Sequence, residues 1–535
     1  MSHGITINEI ATSIQIPVQL NTVIFAVGTA RNCESAPKIA YTFSEYDENF
    51  GYEGDFEKYT LDEVAKTAFG LYGVSPVVFV NVLNPAKHFS EIEETFEGVT
   101  TFNISGEAIL DTLEVTSGEY IPATKLVKDE DFEVKEEEDE GSGAVTKTFK
   151  LKKSDNVDGA VKIKYSAGGI DAETEVTLEV AQVFELPSDT DLANLTAESG
   201  EVDTLVDLDF GISHIGDVVT VEILDEENIV DDKIFVKYRE LDPSKVKAAD
   251  IIGGVDAATG LTSGLEIAES VPARWNLGVG IIIAPKFSRN NEVAAAMTAK
   301  AKILNAMAVN DLDAETYTAA IEDKTLADSH LITCWGKVAL NGDKYNLSTH
   351  LAALMFQVDS DNSNIPYVSP SNKVLQIDSV VNSSGEIFMT QEQCNLLNQN
   401  GIVTVFGGYS GFRAWGNYTS IGATADFKDR WISTRRMVNF VRNYLIQTYF
   451  SNLDAPINRR QIDSILQSCN LYLASLVSSQ ALIGGRIEFL SSENNTTDLM
   501  SGKLTFHLYL LPCPPAEEID FNIEIDTDYF EGLFE

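Results

Sequence analysis

The chain has 535 residues, 44% of them hydrophobic and 22% charged, and its 82 acidic side chains against 38 basic ones give a formal net charge of −44. Such a surface repels nucleic acid and acidic bilayers, which argues against binders of either. The length predicts roughly three or four domains at ~150 residues each.

No basic residue precedes Arg31 and no apolar, cleavable stretch stands before it, so the reading is a chain made in the cytosol. The longest apolar runs, such as 277–284, fall short of the ~20 residues a membrane span needs, so a soluble chain without membrane insertion is expected.

In chain order, Thr22 to Val27 is an apolar, β-branched run ending at Gly28-Thr29-Ala30, which predicts a strand and a tight turn. Thr60 with Glu63 three residues on reads as a capping box. Leu61, Val64, Ala65, Ala68 and Phe69 supply that helix's apolar stripe. Residues 76–80 follow as a buried strand.

From 91 to 250 the chain holds 41 acidic and 14 basic side chains, well over half of the whole excess. Val161, Ile163 and Tyr165 alternate with lysines, and Val176, Leu178 and Val180 alternate with polar residues, so half-buried strands of a mainly-β domain are expected. The cluster 133–140 reads as a solvated loop. Beyond it, Val279 to Ala284 predicts a strand, Asn291 to Val309 an alanine-rich helix, and Leu331 to Trp335 another strand.

Thr390 and Gln393 predict a capped helix, Ile402 to Phe406 a strand, and 427–452 and 457–478 two longer helices. Strands near 485–490 and 503–511 come next. After the breaker Pro512-Cys513-Pro514-Pro515, Ile519, Phe521, Ile523 and Ile525 alternate with polar residues as a period-two strand on a stiff arm.

The fold class expected is therefore a multidomain α/β protein. An α/β core is interrupted by an inserted acidic, mainly-β domain, and an α+β C-terminal domain follows. The expected division is 1–90 (arm and first part of the core), 91–245 (insertion), 246–385 (rest of the core) and 386–535 (C-terminal domain).

The usual chemical signatures are missing. Five scattered cysteines and six dispersed histidines hold no metal-ligand spacing, and neither GxxxxGK[ST] nor GxGxxG occurs, so no metal and no cofactor is expected. Residues 211–215 and 408–411 fail as nucleophile elbows, and the calcium-like start Asp359-Ser360-Asp361 lacks the turning glycine and the closing glutamate. No catalytic residue can be named.

What stands out is a charge reversal. Between Arg413 and Arg460 eight basic residues face only Asp426, Asp429 and Asp454. On a helix from 427, Lys428, Arg435 and Arg442 recur every seven residues on one face, with Arg459 and Arg460 beyond, which suggests docking on an acidic neighbour.

Several runs, in order, resemble the tail sheath proteins of contractile phage tails and phage-tail-like bacteriocins. They are Gly4-Ile5-Thr6-Ile7-Asn8-Glu9, residues 23–30, Asp250-Ile251-Ile252-Gly253-Gly254, residues 279–285, Phe412-Arg413-Ala414-Trp415-Gly416-Asn417, Arg430-Trp431-Ile432-Ser433-Thr434-Arg435-Arg436, Asn458-Arg459-Arg460 and Pro514-Pro515-Ala516-Glu517-Glu518-Ile519. The likeness covers the chain except the acidic insertion.

The resemblance implies a non-enzymatic subunit stacking in six-fold rings around an inner tail tube, in a lattice that contracts and drives the tube through a target envelope. It implies terminal arms that donate strands to neighbours, here through Ile5, Ile7, Ile519, Phe521, Ile523 and Ile525. The implied partners are sheath neighbours, the tube protein, baseplate and tail terminator proteins, in a virion tail or phage-tail-like particle assembled in the host cytoplasm. Lys428, Arg435, Arg442, Arg459 and Arg460 are the expected docking residues for tube or neighbour. Two other readings stay open: a surface-array or adhesin-type protein whose acidic β domain binds a receptor, and an α/β hydrolase-like enzyme.

Overall fold

A computed structural model describes residues 22–33 and 36–97, the β-strands between 98 and 241, and residues 241–408, 411–527 and 529–530. The chain forms two compact units, one of residues 89–242 and one of the rest.

The larger unit is a mixed α/β fold. Its strands are β1 (Thr22–Gly28), β2 (Lys38–Ala40), β3 (Val77–Asn81), β4 (Gly278–Ile283), β5 (Met307–Leu312), β6 (Leu331–Trp335), β7 (Ile402–Gly408), β8 (Gly411–Trp415), β9 (Leu482–Glu488) and β10 (His507–Pro512). Its main helices are α1 (Phe43–Phe50), α2 (Thr60–Ala65), α3 (Asn291–Leu304), α4 (Leu347–Asp361), α5 (Gln391–Gln399), α6 (Ile432–Tyr449) and α7 (Arg459–Ser478).

Eight strands form one sheet in the order β2-β3-β1-β4-β5-β6-β7-β8. The inner pairings are parallel and only the edge strands β2 and β8 run antiparallel. Parallel strands are covered on both faces, which is why these runs are apolar without alternation. Ile24 and Ala26 of β1 point into a core with Val77, Phe79, Ile281 and Leu351 of α4, while Val23, Phe25 and Val27 enter the opposite core with Val78, Ile282 and Met297 of α3. Fully burying each large side chain contributes about 1.5–3 kcal/mol. Phe79 lies 4.7 Å from the Tyr46 ring and 5.8 Å from that of Phe50, so its truncation to alanine would cost about 3–5 kcal/mol.

Three local expectations are corrected. The alanine-rich helix stops at Leu304 rather than Val309, because Asn305 takes a left-handed conformation (φ 49°) and caps it, and β5 starts at Met307. Thr60 and Glu63 form no capping box: the Thr60 hydroxyl accepts from the Thr29 amide while the Thr60 amide donates to the Thr29 hydroxyl, and Glu63 turns inward. Gly28 permits that exchange, since a Cβ there would sit 2.2 Å from Thr60 Oγ1. Nor does the core end at 385, because β7 pairs with β6 and β8 with β7, which carries the sheet through Trp415.

The expected cap at Thr390 is present, with Gln393 reciprocating. Beyond the sheet, α6 and α7 pack around Met437, Val441, Cys469 and Leu473, and the Tyr444 and Tyr472 rings stack at 3.4 Å. The β9–β10 ribbon, with Glu488 opposite His507, lies on α7, where the Asn470 side chain bonds both main-chain groups of Ile487.

The unit of residues 89–242 contains four small sheets with antiparallel pairings, including Ala160–Ser166 against Glu173–Leu178. Phe89–Glu97 pairs with Lys233–Leu241, Phe89 opposite Leu241, so the segment enters and leaves side by side. The acidic run expected as a loop lies mostly in a strand, Phe132–Glu138, paired with Val145–Leu151.

Candidate assembly surfaces

The C-terminal arm starts at the end of β10. Ile519, Phe521, Ile523 and Ile525, expected as a strand, form no strand within the chain and are 70%, 83%, 91% and 87% exposed. Alternation sets which faces the side chains take, but a ladder also needs a partner edge. Ile5 and Ile7, the expected exchange residues at the other end, lie outside the described residues.

The root of the arm is tied to the core by one carboxylate. Glu517 Oε1 accepts from the Trp431 indole at 2.7 Å and from Asn417 Nδ2 at 2.9 Å, and its Oε2 lies 3.1 Å from the Tyr418 hydroxyl. Sequence reasoning placed none of these residues in such a contact, although all of them except Tyr418 lie in runs that carried the family resemblance.

The basic face is not a single stripe. Lys428 belongs to a separate short helix, Phe427–Arg430, and Trp431 (φ −92°, ψ 139°) breaks the path before α6 begins. Arg435 is buried: its guanidinium donates to Asp429 Oδ1 at 2.9 Å and twice to Asn439 Oδ1, so it belongs to the interior rather than to a docking face. Its helical phase places it against Asp429, which the seven-residue spacing cannot reveal. Lys428, Arg442, Arg459 and Arg460 are exposed, with Arg459 bonded to Asp463 at 3.0 Å. At the end of α6 and in the turn before α7, Ile446, Phe450 and Leu453 are 56%, 70% and 66% exposed.

Deeper in, two carboxyls serve the N-terminus of α4. Glu63 accepts from the Asn346 amide at 2.6 Å, Asn346 Nδ2 at 2.7 Å and Thr349 Oγ1 at 2.8 Å, and Asp311 accepts from the Ser348 amide at 2.9 Å and from its hydroxyl. They satisfy main-chain donors that a helix start leaves unpaired. Burial pushes the Glu63 carboxyl up to about 8 against those donors and raises that of Asp311. Asp359, the start of the calcium-like run, pairs in the interior with Arg436.

A recess of about 900 Å3 holds Cys33, His88 and Asp250. His88 Nδ1 accepts from the Asn84 amide at 3.0 Å and Nε2 lies 3.4 Å from Asp250, while burial pushes the Cys33 thiol up to about 11. Neither ring nitrogen is left to activate that thiol. Among the described residues no group of three acidic, histidine or cysteine side chains could hold a metal, and no helix is long and apolar enough to cross a membrane.

No protein-family model matches the chain. It is 31% identical over 316 residues to the tail sheath protein of Burkholderia phage BcepMu, a match covering 55% of this chain and 65% of the relative, so the chain spans just under two thirds of that relative's length. It is 26% identical over 300 residues to a putative prophage major tail sheath protein of Pseudomonas aeruginosa strain UCBPP-PA14, covering 54% of this chain and 76% of the relative. Among solved structures, the sheath tail protein of Desulfitobacterium hafniense aligns over 91% of this chain and 93% of its own at 10% identity and a TM-score of 0.45. The contracted PVC sheath complex of an extracellular contractile injection system aligns over 50% and 76% at 17% identity and a TM-score of 0.42.

Proposed function

We propose that this chain is a contractile tail sheath protein, a structural subunit which polymerises in stacked hexameric rings around an inner tube and contracts to drive that tube through a target envelope. The observation that carries the reading is the arm. Four large apolar side chains alternating with polar ones stand exposed on one short segment rooted at the core, a hazard that proteins suppress unless a partner strand is intended.

Main-chain pairing would tether subunits while leaving them free to rotate. Among the described residues β9 and β10 pair only with each other, so the ribbon has open edges suited to receive donated strands. The N-terminal segment with Ile5 and Ile7 would donate a second one. The exposed Lys428, Arg442, Arg459 and Arg460, with the apolar tip between α6 and α7, would dock on the tube or an adjacent subunit. A partly exposed electrostatic contact can be released during contraction, whereas a deep apolar interface would hold. The unit of residues 89–242 belongs on the outside of the cylinder, where water and salt screen its charge.

In this reading the further partners are baseplate and tail terminator proteins, and the particle is a phage tail or a phage-tail-like device. Electron microscopy tests it: the full chain should form hollow striated cylinders, and deletion of 516–535 should leave a folded monomer that makes none. Flat lattices would instead favour the surface-array reading, and dispersed particles the enzyme.

A further inference from the structure

We propose that Asn417, Tyr418 and Trp431 form a preorganised carboxylate lock for Glu517 that sets where the C-terminal arm leaves its own subunit. The proposal rests on the reading that this arm donates a strand to a neighbour.

The lock is built before the carboxylate arrives. Asn417 and Trp431 are each only 8% exposed. The Asn398 amide group donates to Asn417 Oδ1 at 3.1 Å while its own Oδ1 accepts from the Asn417 main-chain amide at 3.0 Å, so Asn417 Nδ2 is the group left to face Glu517. Tyr418 and Trp431 are paired in an isolated antiparallel bridge, flanked by the Thr419 amide to Arg430 carbonyl bond at 2.8 Å and the Ile432 amide to Asn417 carbonyl bond at 2.9 Å. The indole is held from two sides, by the Phe427 ring edge at 5.2 Å and the Arg430 guanidinium at 5.2 Å. Three donors from two segments of the core therefore converge on one small region.

This donor set selects an oxygen acceptor. Asn417 Nδ2 and the indole only donate, and together they saturate one carboxylate oxygen while the phenol addresses the other. The position is also suited to negative charge, since Trp431 is the N-cap of α6 and the positive end of that helix's dipole lies there. Glu517 lies two residues before Ile519, so fixing its carboxylate restricts the origin and heading of the exposed run. A strand presented on a fixed heading loses less freedom on pairing than one on a loose tether, so the lock raises affinity for the neighbour without touching it. The position of Glu517 after Pro514 and Pro515, which stiffen the approach, serves the same end.

The test uses the full chain labelled with 5-fluorotryptophan, whose four tryptophans give four fluorine resonances. Trp431 is identified by its loss in Trp431→Phe. In the unassembled chain, Glu517→Ala should shift the Trp431 resonance and leave the other three in place. The concentration needed for cylinder assembly should rise about tenfold, with the thermal midpoint unchanged, because arm ordering and not core packing is lost. Trp431→Phe, which keeps an aromatic side chain but removes the donor, should raise the threshold similarly, and Glu517→Gln, which keeps one accepting oxygen, should restore most of it. An unmoved Trp431 resonance, or wild-type thresholds in both Glu517→Ala and Trp431→Phe while the 516–535 deletion fails to assemble, overturns the lock alone. If the deletion itself assembles normally, the strand-donation reading falls with it.

Discussion

Arg436 of α6 reaches Asp359 at the C-terminal end of α4, donating to Oδ1 at 3.1 Å and to Oδ2, with both residues 7% exposed. A helix outside the sheet is thereby joined to a helix packed on it. Burial raises the Asp359 carboxyl pKa, while the guanidinium beside it favours the ionised form. Removing one partner strands the other: Arg436→Ala should cost roughly 3–5 kcal/mol of stability, whereas Arg436→Met with Asp359→Leu should cost much less. Urea unfolding of the monomer separates the two outcomes.

A second prediction follows from the split within the basic segment. Arg442→Glu with Arg460→Glu should leave the monomer's thermal unfolding nearly unchanged and stop polymerisation around the tube, because individual exposed pairs contribute only ~0–1 kcal/mol and the lattice sums many of them. Arg435→Glu should instead destabilise the monomer, since it places a carboxylate against Asp429 in the interior. Sedimentation in rising salt checks the first arm, as an electrostatic dock should weaken with ionic strength. Assembly of the exposed-residue double variant at the wild-type level would show that this face is only solvated.

The unit of residues 89–242 should be removable. Phe89 pairs with Leu241, and Ser90 Oγ donates to Asp242 Oδ2 at 2.6 Å, so the two crossing points are neighbours and a short glycine-containing turn can join 88 to 243. The shortened chain should fold and still build cylinders. Aggregated or unfolded product would mean that the larger unit depends on the segment it loses.

Stability should fall as pH rises above neutrality. With its folded pKa at about 8, Glu63 holds a proton that the unfolded chain has released above ~4.3, so its contribution is complete below that lower value and is lost as pH rises through about 8. His330 and His350 act oppositely. Burial lowers them to about 4 and about 3, so their contribution is present above ~6.5 and fades as pH falls through the folded values. Between pH 6.5 and 7.5 the Glu63 effect dominates, with a slope of at most ~1.4 kcal/mol per pH unit; above that Lys324, which burial lowers to about 8, opposes it. Denaturant midpoints across that interval should fall in the wild type and flatten in Glu63→Gln; an equal fall in both would remove Glu63 as the cause.

What the sequence determined by itself is what depends on near neighbours along the chain. The runs at Thr22–Gly28, Val77–Asn81 and Leu331–Trp335 are apolar on both faces, and a strand of that kind must lie inside a covered sheet wherever it goes. The Thr390–Gln393 cap was legible because both of its hydrogen bonds close within four residues. Tertiary structure decided the remainder. Glu63 has the spacing of a cap, yet its partners Asn346 and Thr349 lie more than 280 residues on. Arg435 has the spacing of an exposed stripe, yet the break at Trp431 rotates it toward Asp429 and Asn439. Glu517 sits in an acidic tail, and only the bridge between Tyr418 and Trp431 brings its donors together. Charged and polar side chains take their roles from whichever groups folding places within about 3 Å, and a local pattern carries no information about those.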